Sequence, residues 1–204
     1  HDALPIWRFF VKKRKSKSKK IKKNAYFLNK LLIFCKYHYN EPMKYKIFID
    51  GKEGTTGLKI FDRFENRSDI EIITIEESKR KDPVEKAKII NASDFTFLCL
   101  PDAAAIESAT LCTNPKTRII DASTAHRINP AWAYGFPELD KAFRDKIATS
   151  NRVAVPGCYA SGSNAILYPL VKSKIMQKDY PVVIHSVSGY SGAGKKAIAQ
   201  YKDE

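Results

Sequence analysis

The sequence lacks any run of 18 apolar residues, so neither a membrane-spanning helix nor a membrane partner is expected. Cysteine is scarce as well, with four in 204 residues, no CxxC pair and no metal-type spacing, so we predict no metal site. Cys99 lies in an apolar run and Cys112 near the end of a helical pattern. We interpret both as reduced core thiols, which suits a cytoplasmic location.

Acidic residues are almost absent from the first 42 positions, which carry 12 Lys or Arg and only two acids. The rest of the chain carries 24 basic and 20 acidic residues, so most of the net charge of +14 belongs to this leader. Its Lys–Ser run at 12–23 is expected to be disordered. We interpret residues 1–42 as foreign to the fold and Met43 as the natural start. A presequence and a basic nucleic-acid-binding module are the alternatives, and no nucleic-acid partner is expected for the folded part.

Beyond Met43, strand and helix patterns alternate, and the strand segments are apolar on both faces. This combination is typical of an α/β fold with a parallel sheet. The predicted strands are 46–49, 70–75, 95–100 and 118–120, and the predicted helices are 58–64, 82–91 and 103–112.

Three glycines at three-residue spacing, Gly51, Gly54 and Gly57, separate the first strand from the first helix. Such a turn lets a dinucleotide pyrophosphate approach the backbone at a helix N-terminus, although GxxGxxG departs from the usual GxGxxG and a purely structural turn is the alternative. After the second strand, Glu76-Glu77 would suit the ribose 2′-OH of NAD. The following Ser78-Lys79-Arg80 would instead accommodate the 2′-phosphate of NADP, so the residues alone leave the cofactor open.

Cys158 follows a short β-branched run and Pro156-Gly157, and a helical pattern runs from Ala160 to about Leu167. A cysteine at a helix N-terminus is favoured as the thiolate, which is the nucleophilic form. Cys158 is therefore a candidate nucleophile, with a buried structural thiol as the alternative.

Hydroxyl and basic side chains follow the fourth strand, at the end of a parallel sheet where ligands bind. Ser123, Thr124 and Arg127 are candidates to hold a phosphate or carboxylate there, or else the hydroxyls only cap a turn. An aromatic loop at 134–139 follows, in which Glu138 is a candidate cap of the next helix.

A strand predicted at 181–187 leads into a glycine-rich segment at 189–196. This segment nearly matches a P-loop, but Lys196 stands where the motif needs a Ser or Thr to bind Mg²⁺. We interpret it as a glycine-rich substrate loop and keep a P-loop nucleotide-binding protein as an alternative.

Five motifs in order resemble the N-acetyl-gamma-glutamyl-phosphate reductase family, in its shorter form, from Met43 to the end of the chain. They are Met43–Gly57, Asp121–Arg127, Tyr134–Glu138, Val155–Tyr159 and Ser188–Gly194. The resemblance implies a Rossmann domain over 43–157, followed from 158 to 204 by the start of an α+β catalytic domain. It also implies NADP(H), an acyl phosphate substrate, Cys158 as nucleophile and a homo-oligomer at full length.

The resemblance further implies two sets of binding residues. Those at the cofactor are Gly51, Gly54, Thr55, Thr56, Gly57, Ser78, Lys79, Arg80, Leu100, Pro101, Ser191 and Gly192. Those at the substrate are Ser123, Thr124, Arg127, Glu138, Ser188 and Gly189.

The family's sequence continues well past the last of these motifs and carries its catalytic histidine there. We therefore expect a truncated, inactive fragment whose acid–base group lies beyond Glu204, and assign that role neither to His126 nor to His185. Aspartate-semialdehyde dehydrogenase shares the architecture and remains the alternative within the same chemistry.

Overall fold

The computed structural model describes residues 44–52, 54–189, 192 and 198–201. Strands and helices alternate along this part of the chain, with a short 3₁₀ turn at Glu77–Lys79. The strands are β1 (Tyr45–Asp50), β2 (Ile70–Ile73), β3 (Phe95–Leu98), β4 (Arg118–Asp121), β5 (Ala133–Tyr134) and β6 (Arg152–Ala154). The helices are α1 (Thr55–Phe64), α2 (Pro83–Ala92), α3 (Asp102–Thr110), α4 (Lys141–Thr149) and α5 (Cys158–Lys172).

The strands form one parallel sheet in the order β2-β1-β3-β4-β6-β5, which confirms the predicted α/β, Rossmann-type fold. In the central strand β1, Ile47 pairs with Ile72 on one side and with Phe95 on the other. The chain order reverses between β1 and β3, because β2 lies on one side of β1 and β3 on the other. Such a reversal opens a crevice at the carboxyl ends of the strands, where ligands of α/β proteins bind.

The core lies against the middle of the sheet. Ile47, Phe48 and Ile49 are consecutive and all buried, as expected for a strand covered on both faces. A second cluster packs Leu98 and Ile119 against Trp132 and Ala154. Burying a side chain of the size of Leu98 or Ile119 contributes about 1.5–3 kcal/mol, so these central strands provide a rigid frame for the loops at their ends.

Two helix starts test the predicted caps. The predicted start at Asp82 is confirmed, since its carboxylate accepts a hydrogen bond from the N–H of Val84 at 2.8 Å. The predicted cap of α4 by Glu138 is wrong. Asp140 is the N-cap and accepts from the N–H of Ala142 at 3.0 Å, because a short carboxylate at the N-cap reaches the free N–H group two residues further along.

Two further predictions need correction. The segment 181–187 has no regular secondary structure, and Val183 is 99% exposed. A β-branched run becomes a strand only when a neighbouring strand accepts its hydrogen bonds, and within the described residues none pairs with it. Conversely, part of the predicted aromatic loop forms β5, since Ala133 and Tyr134 pair with β6.

Within the described ranges, no helix is both long and apolar enough to cross a membrane. The same residues contain no group of three or more His, Cys, Asp or Glu side chains placed to hold a metal ion.

Candidate active site

The glycine turn follows β1 and packs against the end of β3. Gly51 has a φ of +87°, and a Cβ there would lie 2.3 Å from the carbonyl oxygen of Cys99. A Cβ at Gly57 would lie 2.4 Å from the carbonyl oxygen of Gly51. Both glycines are therefore required by the packing of the turn itself, whether or not a ligand binds.

Gly54 differs, because a Cβ there would approach no atom closer than 3.3 Å. It is the N-cap of α1 and offers no side-chain acceptor to the first N–H groups of the helix, which belong to Thr55, Thr56 and Gly57. The start of α1 thus lacks a side-chain cap, and uncapped N–H groups of this kind are the groups with which helix N-termini bind anions. Thr56 is exposed, and the side chain of Thr55 lies outside the described residues.

The predicted cofactor residues after β3 lie beside this turn. The Cδ2 atom of Leu100 would be 3.2 Å from a Cβ at Gly51, and Pro101 is the N-cap of α3. Ser191 lies outside the described residues, as does most of the segment that resembles a P-loop. Gly192 is exposed, with no atom within 4 Å of a Cβ placed on it.

The acidic and basic residues after β2 pair with one another. Lys79 lies 3.4 Å from a carboxylate oxygen of Glu76, and Arg80 lies 2.9 Å from one of Glu77. The hydroxyl of Ser78 donates to Glu76 at 2.7 Å. Because these side chains are exposed, apart from the half-buried Arg80, the pairs are weak and leave both predicted ribose partners accessible.

Sequence reasoning missed a buried ion pair beneath the glycine turn. The Nζ atom of Lys86 lies 3.2 Å from Oδ2 of Asp50, the residue before Gly51. The hydroxyl of Ser108, on α3, donates to the same oxygen at 3.0 Å. The carboxylate is 5% exposed, so this network joins β1, α2 and α3 directly below the turn. No local sequence pattern predicts this network, since its members lie 22 or more positions apart in the chain.

Cys158 lies at a helix N-terminus, as predicted, but α5 begins at Cys158 itself rather than at Ala160, and Gly157 is its N-cap. The thiol is exposed, whereas Cys99 and Cys112 are half-buried. Burial, and then the charges of Asp50 and Asp121, raise the pKa of Cys99 to about 11, which keeps that thiol protonated and unreactive. Of the three cysteines in the described part of the chain, only Cys158 is exposed.

A groove of about 740 Å³ runs beside Cys158, between the first half of α5 and the extended segment 181–187. Tyr159 and Ile166 line one wall, and Val182 and Ile184 line the other. The hydroxyls of Tyr159 and Ser188 are hydrogen-bonded, so the predicted substrate residue Ser188 contacts the residue that follows Cys158. Gly189 follows it in an exposed and open position.

Arg127 reaches the N-terminus of the same helix. Its Nε donates to the carbonyl of Val155 at 3.0 Å, and its Nη2 to that of Ala122 at 3.2 Å. The Nη1 atom would lie 2.8 Å from a Cβ at Gly157, immediately before Cys158. Within the described residues Nη1 makes no hydrogen bond, so one edge of the guanidinium remains available to an anion near the thiol.

The other predicted anion ligands already have partners. The hydroxyl of Ser123 donates to Asp121 at 2.7 Å and is buried. The N–H of Thr124 donates to Asp102 at 2.9 Å, and its hydroxyl donates to the same carboxylate. Glu138 is exposed, and the described residues provide no contact that joins it to this loop.

A second feature missed by sequence reasoning is the environment of His126. Its Nδ1 lies 2.7 Å from Oδ2 of Asp121, and its ring stacks on Trp132 with centroids 3.9 Å apart. The motif offered a signal, because a strand that ends in an aspartate is followed five residues later by a histidine next to an arginine.

A parallel sheet with a glycine turn at its chain reversal, and with a helix N-terminus facing that turn, defines the class of Rossmann-type dinucleotide-binding proteins. Residues 46–149 match the family model for the semialdehyde dehydrogenase NAD binding domain, and residues 158–204 match that for the semialdehyde dehydrogenase dimerisation domain. The chain belongs to the semialdehyde dehydrogenase family.

Among curated relatives, N-acetyl-gamma-glutamyl-phosphate reductase 2 of Pseudomonas putida is 50% identical over 156 residues, which are 76% of this chain and 50% of the relative. N-acetyl-gamma-glutamyl-phosphate reductase of a Chelativorans species is 51% identical over 78% of this chain and 52% of its own. The chain thus spans about half the length of the curated relatives it matches.

Among solved structures, aspartate semialdehyde dehydrogenase from Francisella tularensis matches with a TM-score of 0.55 and 15% identity, over 76% of this chain and 48% of that chain. Aspartate semialdehyde dehydrogenase II from Vibrio cholerae matches with a TM-score of 0.54 and 14% identity, over 79% and 51%. At this identity the similarity supports the fold alone.

Proposed function

We propose that the chain provides the cofactor site and the nucleophile of an N-acetyl-gamma-glutamyl-phosphate reductase, a cytoplasmic enzyme of arginine biosynthesis. The observation that carries the proposal is the position of Cys158, which is exposed as the first residue of α5. Identity near 50% to reductases of that name supports the choice of substrate. The match of residues 158–204 to a dimerisation domain supports a homo-oligomer.

The glycine turn fits a nicotinamide dinucleotide. The nearest atom to a Cβ at Gly54 would be the carbonyl oxygen of Gly51 at 3.3 Å, so the turn excludes a side chain less strictly here than at Gly51 or Gly57, and the bare glycine leaves its backbone to a pyrophosphate. The N–H groups of Thr55, Thr56 and Gly57 would hold it, with Leu100 and Pro101 alongside. When bound, the cofactor supplies the hydride.

We propose NADP(H) as the cofactor. Lys79 is exposed and Arg80 half-buried, and each forms a surface ion pair with a glutamate, which contributes only about 0–1 kcal/mol. A 2′-phosphate carries more charge than either glutamate and accepts stronger hydrogen bonds, so it would take over both cations. Replacing Lys79 and Arg80 together with alanine should weaken NADPH binding and leave NADH binding unchanged, as measured by fluorescence titration. Equal losses for both cofactors would contradict this assignment.

In the proposed reaction, the Cys158 thiolate attacks the γ-carbonyl carbon of N-acetyl-glutamyl phosphate. A sulfur–carbon bond forms and the carbon–oxygen bond to phosphate breaks. Inorganic phosphate departs, and a thioester remains on Cys158. Hydride addition to the thioester carbon and expulsion of the thiolate then yield N-acetyl-glutamate 5-semialdehyde. The N–H groups at the start of α5 stabilise the oxyanion formed in each step.

Arg127, whose Nη1 edge lies against Gly157, is the candidate to bind the leaving phosphate. Ser123, the other candidate, is the weaker one because its only hydroxyl proton is donated to Asp121. The groove lined by Tyr159 and bordered by Ser188 would receive the rest of the substrate.

Acylation tests the proposal on the chain itself, because this half-reaction needs no hydride. The chain should react with N-acetyl-glutamyl phosphate to release one equivalent of phosphate and to carry the acyl group on Cys158, as detected by peptide mass mapping. Aspartyl phosphate is the matched control for the alternative dehydrogenase. Faster acylation by aspartyl phosphate, or acylation that persists in Cys158→Ser, would contradict the proposal.

A further inference from the structure

The carboxylate of Asp121, at the end of β4, is fully buried and collects three hydrogen bonds. Its Oδ1 accepts from the N–H of Ser123 at 2.9 Å, and its Oδ2 from the hydroxyl of Ser123 at 2.7 Å. The third comes from Nδ1 of His126, also at 2.7 Å from Oδ2. An ionised carboxylate only accepts, so Nδ1 carries the proton in this contact.

The imidazole ring of His126 is held from its face as well. The ring is nearly parallel to that of Trp132, with an interplanar angle of 13° and centroids 3.9 Å apart. Both side chains are buried, at 8% exposure each. The hydrogen bond to Asp121 and the stacking on Trp132 together hold the imidazole ring in a single orientation.

The next residue along the chain is Arg127, whose guanidinium spans the loop after β4 and the end of β6. It donates to the carbonyls of Ala122 and Val155, while the N–H of Val155 donates to the carbonyl of Asp121 at 2.8 Å. The two strand ends are therefore tied to each other through Asp121 and Arg127. Fixing His126 fixes the backbone from which Arg127 extends.

We propose that His126 is a positioning residue: its Nδ1–H, bonded to buried Asp121, holds Arg127 so that the free edge of the guanidinium faces the anion of an acyl phosphate next to Cys158. This inference rests on the proposed function. Its physical basis is preorganisation, because a long arginine side chain binds an anion strongly only when its conformational freedom is already removed by its own contacts.

Three substitutions separate the hydrogen bond from the packing of the ring. His126→Phe keeps a ring on Trp132 and removes the donor. His126→Asn keeps an N–H close to the position of Nδ1 and removes the ring. His126→Leu has nearly the shape of asparagine and offers neither, so Asn and Leu form a matched pair if the Phe variant does not fold.

The probe is inorganic phosphate at constant ionic strength, and the signal is the rate at which iodoacetamide alkylates Cys158, followed by peptide mass mapping. Phosphate bound at Arg127 should protect the thiol. Losing the charged contact in Arg127→Gln should raise the half-protecting phosphate concentration about tenfold or more. Losing the Nδ1 bond in the Phe and Leu variants should raise it about fivefold, whereas the Asn variant should stay near the wild-type value.

The outcomes distinguish a failure of the proposed phosphate site from a failure of the proposed role of His126. No change in Arg127→Gln would overturn the phosphate site of the proposed function. A shift in Arg127→Gln without a shift in the Leu and Phe variants would overturn the role of His126 alone. Equal weakening in Asn and Leu would also overturn it, because ring packing rather than the hydrogen bond would then control Arg127. Thermal melting of each variant checks that the comparison is made on folded protein.

Discussion

At the scale of single residues, Gly51 and Gly54 lie in the same turn but are constrained differently. Gly51→Ala should lower the free energy of unfolding by at least about 2 kcal/mol, because it forces a positive φ on alanine. It also places a Cβ 2.3 Å from the carbonyl oxygen of Cys99. Urea unfolding of the chain, followed by circular dichroism, measures this cost. A stability equal to wild type would mean that the turn relaxes away from β3.

Gly54→Ala is the matched control within the same turn. Its φ of −78° and ψ of 158° are accessible to alanine, and the nearest atom to the new Cβ would be 3.3 Å away. The free energy of unfolding should therefore change by less than about 1 kcal/mol, while NADPH affinity falls because the methyl group occupies the space of the pyrophosphate. Unchanged affinity in a fluorescence titration would place the pyrophosphate elsewhere.

The residue scale also shows where sequence reasoning succeeds and fails. The placement of Cys158 at a helix start was predictable, since Pro156 and Gly157 end one element and open the next within a few positions. The bond between Asp121 and His126 depends on how a loop closes over Trp132, and the chain's local pattern does not encode that. Side-chain partners that are determined by tertiary packing cannot be predicted from the local sequence.

At the scale of secondary structure elements, the pair of Asp50 and Lys86 joins β1 to α2. Lys86→Met should cost about 3–5 kcal/mol in free energy of unfolding, because it leaves a buried carboxylate without its cation. The double variant Asp50→Asn with Lys86→Met should recover part of this loss, since no unpaired charge remains. Chemical unfolding of the two single variants and the double variant tests the coupling. Strictly additive costs would show that the pair contributes no interaction energy.

A second link joins α4 to α5. Donation from Lys172, and then from the N–H of Ala142 and the hydroxyl of Tyr168, lowers the pKa of Asp140 from 3.8 to about 2. Because the folded-state pKa is the lower one, the bonded carboxylate stabilises the fold above pH 3.8, and this contribution is lost as the pH falls towards 2.

Asp140→Asn should therefore flatten the loss of stability over this acidic window. Asparagine keeps an oxygen that can accept from the N–H of Ala142 and cap α4, but it does not titrate. Thermal melting at a series of pH values compares the two proteins. If the melting temperatures of wild type and Asp140→Asn fall in parallel between pH 3.8 and about 2, Asp140 titrates normally in the folded chain.

The elements themselves were largely predictable from sequence, because short runs rich in aromatic, branched and other apolar residues, such as 95–98, are typical of buried strands. The failures have a common cause. The segment 181–187 has strand composition without a paired neighbour in the described chain, and Ala133–Tyr134 has loop composition but pairs with β6. Strand formation depends on partners that a local window does not contain.

At the scale of the whole molecule, charge and apolar surface are unevenly distributed. The leader 1–42 holds most of the positive charge, while the part that the structure describes is close to balanced. Apolar exposure concentrates after α5, where Val183 and Val187 are 99% and 80% exposed. An exposed segment with β-branched side chains, which pairs with no strand among the described residues, is a template for pairing with another chain.

Val183→Lys should therefore weaken concentration-dependent self-association of the chain, because a charge in such a segment opposes strand pairing and apolar contact. The matched control is Ile128→Lys, which makes the same change in charge at a side chain that is 96% exposed in the loop between β4 and β5. Sedimentation velocity over a range of concentrations should show a shift towards monomer in the Val183 variant and none in the Ile128 variant. If both variants shift equally, net charge controls the association. If neither shifts, the segment 181–187 takes no part in it.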